Sequence, residues 1–339
     1  MYLPSGLLAV LTRHWNHYHR HLRRPAWNAL ERALFVLPFG FYLALGARWI
    51  RRSLTRSPAP TAEPDASSEP CELCAGPCVQ DLILNPDYPY RFSEEILSRL
   101  GTGYFRSRFH GLENVPDEGP IIIMINHAGM AFPWDFLIFA GELMTQRGAG
   151  YPLRGPGEKI FTRNPIFNRI LPERWLETIG GVEATYRNIE KMVRHNQAII
   201  YAPEGVAGMA KGWDKRYQLE PFHTSFLRLA AKYDATIVPG VCIGSENLHP
   251  WAVDVPSLAK LIGFPFFPLS LISIWLPVFP SMLVWSLPIR MDYYIDDPIK
   301  LPDDDYESYS KSDWQALAEQ FRQDMQARVD ARLNQGDRA

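Results

Sequence analysis

Three signatures of common enzyme chemistry are missing from this 339-residue chain. It has no Gly-x-Ser-x-Gly nucleophile elbow, no Gly-x-Gly-x-x-Gly dinucleotide loop and no phosphate loop ending in Gly-Lys-Ser/Thr. Cysteine is scarce. Of four, Cys71, Cys74 and Cys78 cluster and Cys242 stands alone. The cluster offers three thiolates where a closed zinc site takes four ligands, so no metal is expected and a reducing compartment is the default. A long hydrophobic run is also lacking in the amino-terminal region. The stretch Ala33–Ala47 is 15 residues long, short of the roughly 20 a spanning helix needs, and contains Pro38, which would kink it. It starts late and no small-residue cleavage site follows closely, so it does not read as a signal peptide.

Acid is nearly absent from the first 56 residues. They hold nine arginines, no lysine and only Glu31, a formal +8 that leaves −10 for the remainder against −2 overall. A basic arm carrying a short bent apolar run, with Trp15, Trp27 and Trp49 nearby, suits a helical segment lying in one leaflet of a membrane. Lipid accounts for both the charge and the apolar run, so nucleic acid is not expected as a partner. The expected plan is a membrane-associating arm over 1–57, a Pro/Ala/Ser-rich linker over 58–80 and a catalytic body over 81–339.

Within the body, short β-branched runs at 120–126, 197–202 and Thr236 to Ile243 read as buried strands. Helical patterning fits 134–146, 183–195, 221–233 and about 312–333. The alternation predicts an α/β fold, a layered and mostly parallel sheet flanked by helices. Residues 258–288, rich in Trp, Phe and Pro, interrupt it. They read either as a proline-broken core segment or as a membrane-facing apolar patch.

Two of the strands end in chemistry. Asn126-His127 follows the first, with Asp135 eight residues beyond the histidine, and Ala202-Pro203-Glu204-Gly205 follows the second. Ligands of open α/β sheets bind where parallel strands end. An imidazole held by a carboxylate is a general base near neutral pH. Taken alone, His127 reads more readily as a buried or capping histidine.

Four blocks in order tip that balance. Asn126-His127 with Asp135, Gly180-Gly181-Val182-Glu183-Ala184-Thr185-Tyr186-Arg187-Asn188, Ala202-Pro203-Glu204-Gly205 and Ile237-Val238-Pro239-Gly240-Val241 together resemble the glycerolipid acyltransferases, which include lysophosphatidate and glycerol-phosphate acyltransferases. The lead-in Phe109-His110-Gly111-Leu112-Glu113-Asn114-Val115-Pro116 fits as well, and the resemblance covers roughly 105–250. The chain departs from the family's usual spacing. Seven residues, 128–134, separate His127 from Asp135 instead of four, as in a subgroup with a lengthened loop.

The resemblance implies a membrane-associated acyltransferase of phospholipid biosynthesis, acting at a cytoplasmic membrane face, of a bacterial inner membrane or an organelle. It implies His127 and Asp135 as catalytic residues and acyl-CoA or acyl-carrier protein as co-substrate, with no cofactor. Arg187, Glu204, Gly205, Lys211 and Arg216 are the expected substrate-binding residues, the cations for an acceptor or coenzyme phosphate. Arg154, Lys159, Arg163 and Lys215 are further cations placed to do the same. Glu204 keeps two roles open, binding an acceptor hydroxyl or bracing the site. Backbone N–H groups near Ala128 and Gly129 are expected at the oxyanion. Alternatives are a neutral-lipid acyltransferase, a catalytically silent lipid-binding protein of the same fold, and a lipid hydrolase or thioesterase.

Overall fold

Five consecutive apolar residues, Ile121 to Ile125, form strand β2, and all five are buried. A strand shielded on both faces is what a central parallel strand requires, because helices cover the sheet on either side. The computed structural model describes residues 47, 87–128, 132–159, 176, 179–273 and 286–336. Apart from Ala47, the expected arm and linker, with Cys71, Cys74 and Cys78, lie outside the described residues, as do Gly129 and Arg163.

The chain enters through a short helix α1 (Asp87–Phe92) and two widened turns over Ser93–Leu97 and Leu100–Tyr104. Strand β1 (Arg108–His110) precedes β2 (Ile121–Ile125), and helix α2 (Trp134–Arg147) follows. Then come β3 (Leu153–Gly157), β4 (Gly181–Glu183), α3 (Tyr186–Arg194), β5 (Ala198–Tyr201), α4 (Val206–Ala210), α5 (Ser225–Tyr233) and β6 (Thr236–Ile243). The last elements are β7 (Val253–Asp254), α6 (Pro256–Ile262), β8 (Pro268–Leu269), β9 (Asp292–Ile295) and the long α7 (Lys311–Gly336).

Among the described residues the main sheet has seven strands in the order β1-β9-β6-β2-β5-β3-β4. Strands β6, β2, β5, β3 and β4 run parallel, and β9 joins β6 antiparallel with β1 parallel to β9. This is the expected mostly parallel α/β architecture. Ile122 and Met124 of β2 pack on one face with α3, α5 and α7, while Ile121, Ile123 and Ile125 pack on the other with α2 and the entry turns. Burying each such side chain contributes about 1.5–3 kcal/mol.

Element boundaries shift where backbone bonds are diverted. Glu183 belongs to a strand instead of a helix, and α3 starts only after Thr185, whose hydroxyl accepts the Asn188 N–H at 3.2 Å. Helix α5 starts at Ser225 instead of 221, because the N–H of Glu220 donates to the Glu204 carboxylate at 2.8 Å and that of His223 to the Pro203 carbonyl at 2.8 Å. Among the described residues no helix is long and apolar enough to cross a membrane.

Candidate active site

Because β2, β5 and β6 are parallel, the turns that follow them meet at one edge of the sheet. Asn126 ends β2 and fastens it to β6. Its side-chain amide donates to the Cys242 carbonyl at 3.1 Å, and its oxygen accepts the Cys242 N–H at 2.7 Å. The chain then turns outward at His127.

His127 and Asp135 meet. His127 Nδ1 lies 3.0 Å from Asp135 Oδ2, with the histidine side chain 12% exposed and the aspartate side chain fully buried. Asp135 sits in the first turn of α2, where free N–H groups and the helix dipole favour an anion. Its Oδ2 also accepts the Ala128 N–H at 2.9 Å and its Oδ1 that of Phe136 at 2.9 Å. The buried Tyr293 of β9 donates its hydroxyl to the Asp135 carbonyl oxygen at 2.8 Å. Burial holds that phenol well above its usual pKa, so it stays a donor. The imidazole packs on Phe136, ring centroids 4.4 Å apart. With Nδ1 given to the carboxylate, Nε2 is the ring nitrogen left to exchange a proton. The Ala128 N–H is spent on Asp135, so this group does not serve an oxyanion.

The Pro-Glu-Gly turn after β5 underlies this loop. Glu204 is fully buried, and its Oε1 accepts the main-chain N–H of His127 at 3.2 Å. Its Oε2 accepts the Glu220 N–H at 2.8 Å and the Lys211 ammonium at 3.3 Å. Lys211 also reaches Glu246 at 2.9 Å and the Gln218 carbonyl at 3.0 Å. Burial alone would lower the lysine pKa, but the two carboxylates outweigh it and keep the ammonium charged. Both Glu204 oxygens are thus occupied by groups of the protein itself, the arrangement of a brace. The Lys211 ammonium is sealed between these two carboxylates, away from the surface where a phosphate would approach.

Gly205 has φ +58° and ψ −145°, a conformation open essentially to glycine, and a side-chain carbon there would stand 3.1 Å from His223 Nε2. Arg216 and Arg187 are exposed. The Arg216 guanidinium lies 4.7 Å from the Trp213 ring centroid, and Arg187 lies in the first turn of α3. Arg154 is buried, with Nε on Gln197 Oε1 at 3.1 Å.

Glu246, Tyr293 and Gly208 contribute to this edge without a signal in the sequence. A side-chain carbon at Gly208 would meet the His127 carbonyl oxygen at 2.8 Å and Glu204 Cβ at 2.9 Å, so α4 rests directly on the histidine's main chain. Glu246 and Tyr293 lie outside the four recognisable blocks, and Gly208 reads as one small residue among several.

Residues 106–243 match the family described as Acyltransferase. The match covers less than half of the chain. It runs from just before β1 to the end of β6 and contains His127, Asp135 and Glu204, whereas Glu246 and Tyr293 fall beyond it. The chain is also similar to an uncharacterized protein of Mycobacterium tuberculosis (strain ATCC 25618 / H37Rv), 27% identical over 203 residues, or 60% of this chain and 53% of that one. It is similar to the chloroplastic phytyl ester synthase 1 of Arabidopsis thaliana, 24% identical over 155 residues, covering 44% of this chain and 21% of that protein. The chain thus spans about half the length of the mycobacterial relative it matches. The crystal structure of the 1-acyl-sn-glycerophosphate acyltransferase PlsC from Thermotoga maritima aligns at 15% identity and a TM-score of 0.39, over 70% of this chain and 79% of that one.

Proposed function

We propose that this protein is a membrane-associated acyltransferase that moves a fatty acyl group from acyl-CoA or acyl-carrier protein to a hydroxyl of a lysophospholipid or related glycerolipid. The observation that carries the reading is the 3.0 Å contact between His127 Nδ1 and a fully buried Asp135 carboxylate. His127 Nε2 takes the proton of the acceptor hydroxyl, and Asp135 steadies the imidazolium that forms. The acceptor oxygen attacks the thioester carbonyl carbon, the C–S bond breaks and the imidazolium returns its proton to the departing thiolate. No acyl-enzyme is formed, in keeping with the lack of a serine elbow. A dyad closed to hydrogen-bond distance also counts against a silent scaffold of the same fold.

One observation favours a second reading, in which the acceptor is an uncharged alcohol. Lys211, the nearest cation after the Glu204 turn, is consumed by Glu204 and Glu246. The plant relatives named phytyl ester synthases carry an uncharged alcohol in their name. Residues Arg187 and Arg216 would serve a phosphorylated acceptor or coenzyme phosphates.

The test is purified protein with labelled acyl-CoA or acyl-carrier protein and a panel of lysophosphatidate, monoacylglycerol, diacylglycerol and a long-chain alcohol. Transfer to one class and its loss in a folded His127→Ala variant are expected. Free fatty acid released without an acceptor would instead make the protein a hydrolase, and no turnover on any pair would make it a lipid-binding scaffold.

A further inference from the structure

Strands β7 and β8 are amphipathic the wrong way round. Val253 stands directly opposite Leu269 in their antiparallel register, and these two are 49% and 43% exposed. The same alternation continues to Trp251 and Leu271, which are 66% and 63% exposed. The intervening Ala252 and Ser270 are buried, and Asp254 turns inward enough to accept the Phe267 N–H at 2.9 Å. Large apolar groups thus face out and small or polar groups face in, the reverse of a strand pair on a water-facing surface. Helix α6, which follows β7 after one residue, repeats the inversion. Ala259 is buried while Leu258 and Leu261 point outward, Leu261 at 80% exposure.

The rim of this face is built for a polar boundary. The Trp251 ring lies 6.2 Å from that of Trp213, over which the Arg216 guanidinium stacks. Indole beside guanidinium is the pairing found where hydrocarbon gives way to headgroups. Arg216 and Lys260 make no ion pair among the described residues and are free for anionic headgroups, against one exposed acid on these segments, Asp214. The six apolar side chains expose on the order of 600 Å², below the roughly 800 Å² per partner that a stable protein pair buries. A fluid lipid surface needs no matching shape.

We propose that this face, Trp251, Val253, Leu258, Leu261, Leu269 and Leu271, docks on a lipid bilayer bearing anionic headgroups. The segment leaves the same end of β6 that carries Glu246, and the Trp213 N–H is bonded to the Ala252 carbonyl at 2.9 Å. Docking therefore brings the His127 edge of the sheet to the membrane. That consequence rests on the acyltransferase reading, while the docking itself does not.

The experiment uses the full chain with Cys71, Cys74 and Cys78 changed to serine and an environment-sensitive fluorophore at Leu261→Cys. The control carries it at Glu118→Cys, in the exposed turn before β2 at the opposite edge of the sheet. With vesicles of phosphatidylcholine and phosphatidylglycerol, a blue shift and quenching by lipid-borne quenchers are expected at 261 and not at 118. The paired substitutions Trp251→Glu and Leu269→Glu are expected to weaken vesicle binding at least tenfold. A label at 261 that stays in water on vesicle-bound protein would overturn the proposal. So would one shielded equally without lipid in a concentration-dependent dimer. Docking without acyl transfer would leave this proposal standing and remove the enzymatic one.

Discussion

The Glu204 carboxylate holds the main chain of His127, not its ring: Oε1 accepts the histidine N–H at 3.2 Å while Oε2 faces Lys211 and the Glu220 N–H. The imidazole is positioned from two sides. Asp135 fixes the ring, and the Glu204–Lys211–Glu246 cluster fixes the backbone that carries it.

Removing the base should abolish turnover without unfolding the protein. His127→Ala is expected to lower kcat/KM by ~10²–10⁴ with little change in Tm, since the ring is at the surface of the core. Asp135→Asn should cost comparable activity and also about 1 kcal/mol of stability, because a buried carboxylate at the start of α2 becomes neutral. Steady-state kinetics and urea titrations on the same preparations check both.

Lys211→Met separates bracing from substrate binding. Two buried carboxylates lose their shared cation, and the expected loss is about 3–5 kcal/mol of folding stability. A phosphate-binding lysine would instead raise KM for a phosphorylated acceptor and leave Tm unchanged.

Gly208→Ala tests the contact between α4 and the histidine. The added carbon would meet the His127 carbonyl oxygen at 2.8 Å, so the loop must shift. A fall in kcat larger than the change in KM is expected, with a stability loss of about 1–3 kcal/mol. Unaltered kcat would show that the loop tolerates displacement.

His249 supplies a pH signature. It is buried against the Ser286 hydroxyl at 2.9 Å, and burial pushes its pKa down to about 4. A depressed folded-state pKa means the unfolded chain binds the proton more tightly. The stability this gives is present above the ordinary histidine pKa near 6.5 and is lost as pH falls toward 4, roughly 3 kcal/mol in all. Denaturation at pH 7 and at pH 4.5 should show a smaller drop for His249→Gln than for the unaltered protein.

Much of the fold is legible in the chain because burial leaves a periodic trace. Ile121 to Ile125, Ala198 to Tyr201 and Thr236 to Ile243 are short, apolar and bounded by turn residues, and each is a strand of the parallel set. The positions of His127 and Glu204 at strand ends follow from the same pattern. The meeting of His127 and Asp135 does not, since spacing sets only the reach of a loop and not its path. Nor does the fate of Lys211, which looks in sequence like any cation after a turn. Strand β4 leaves no trace in the pattern, because Gly181–Glu183 is too short to set a period.

Residue order alone determined the layered α/β plan and brought His127 and Glu204 to the ends of strands, because side-chain periodicity dictates which residues leave water. Only the tertiary structure decided that Asp135 reaches His127, that Glu204 and Lys211 brace it, and that the leucines of β8 and α6 face outward. Those outcomes depend on contacts between residues far apart in the chain, and a local pattern carries no record of which distant group a buried charge will meet.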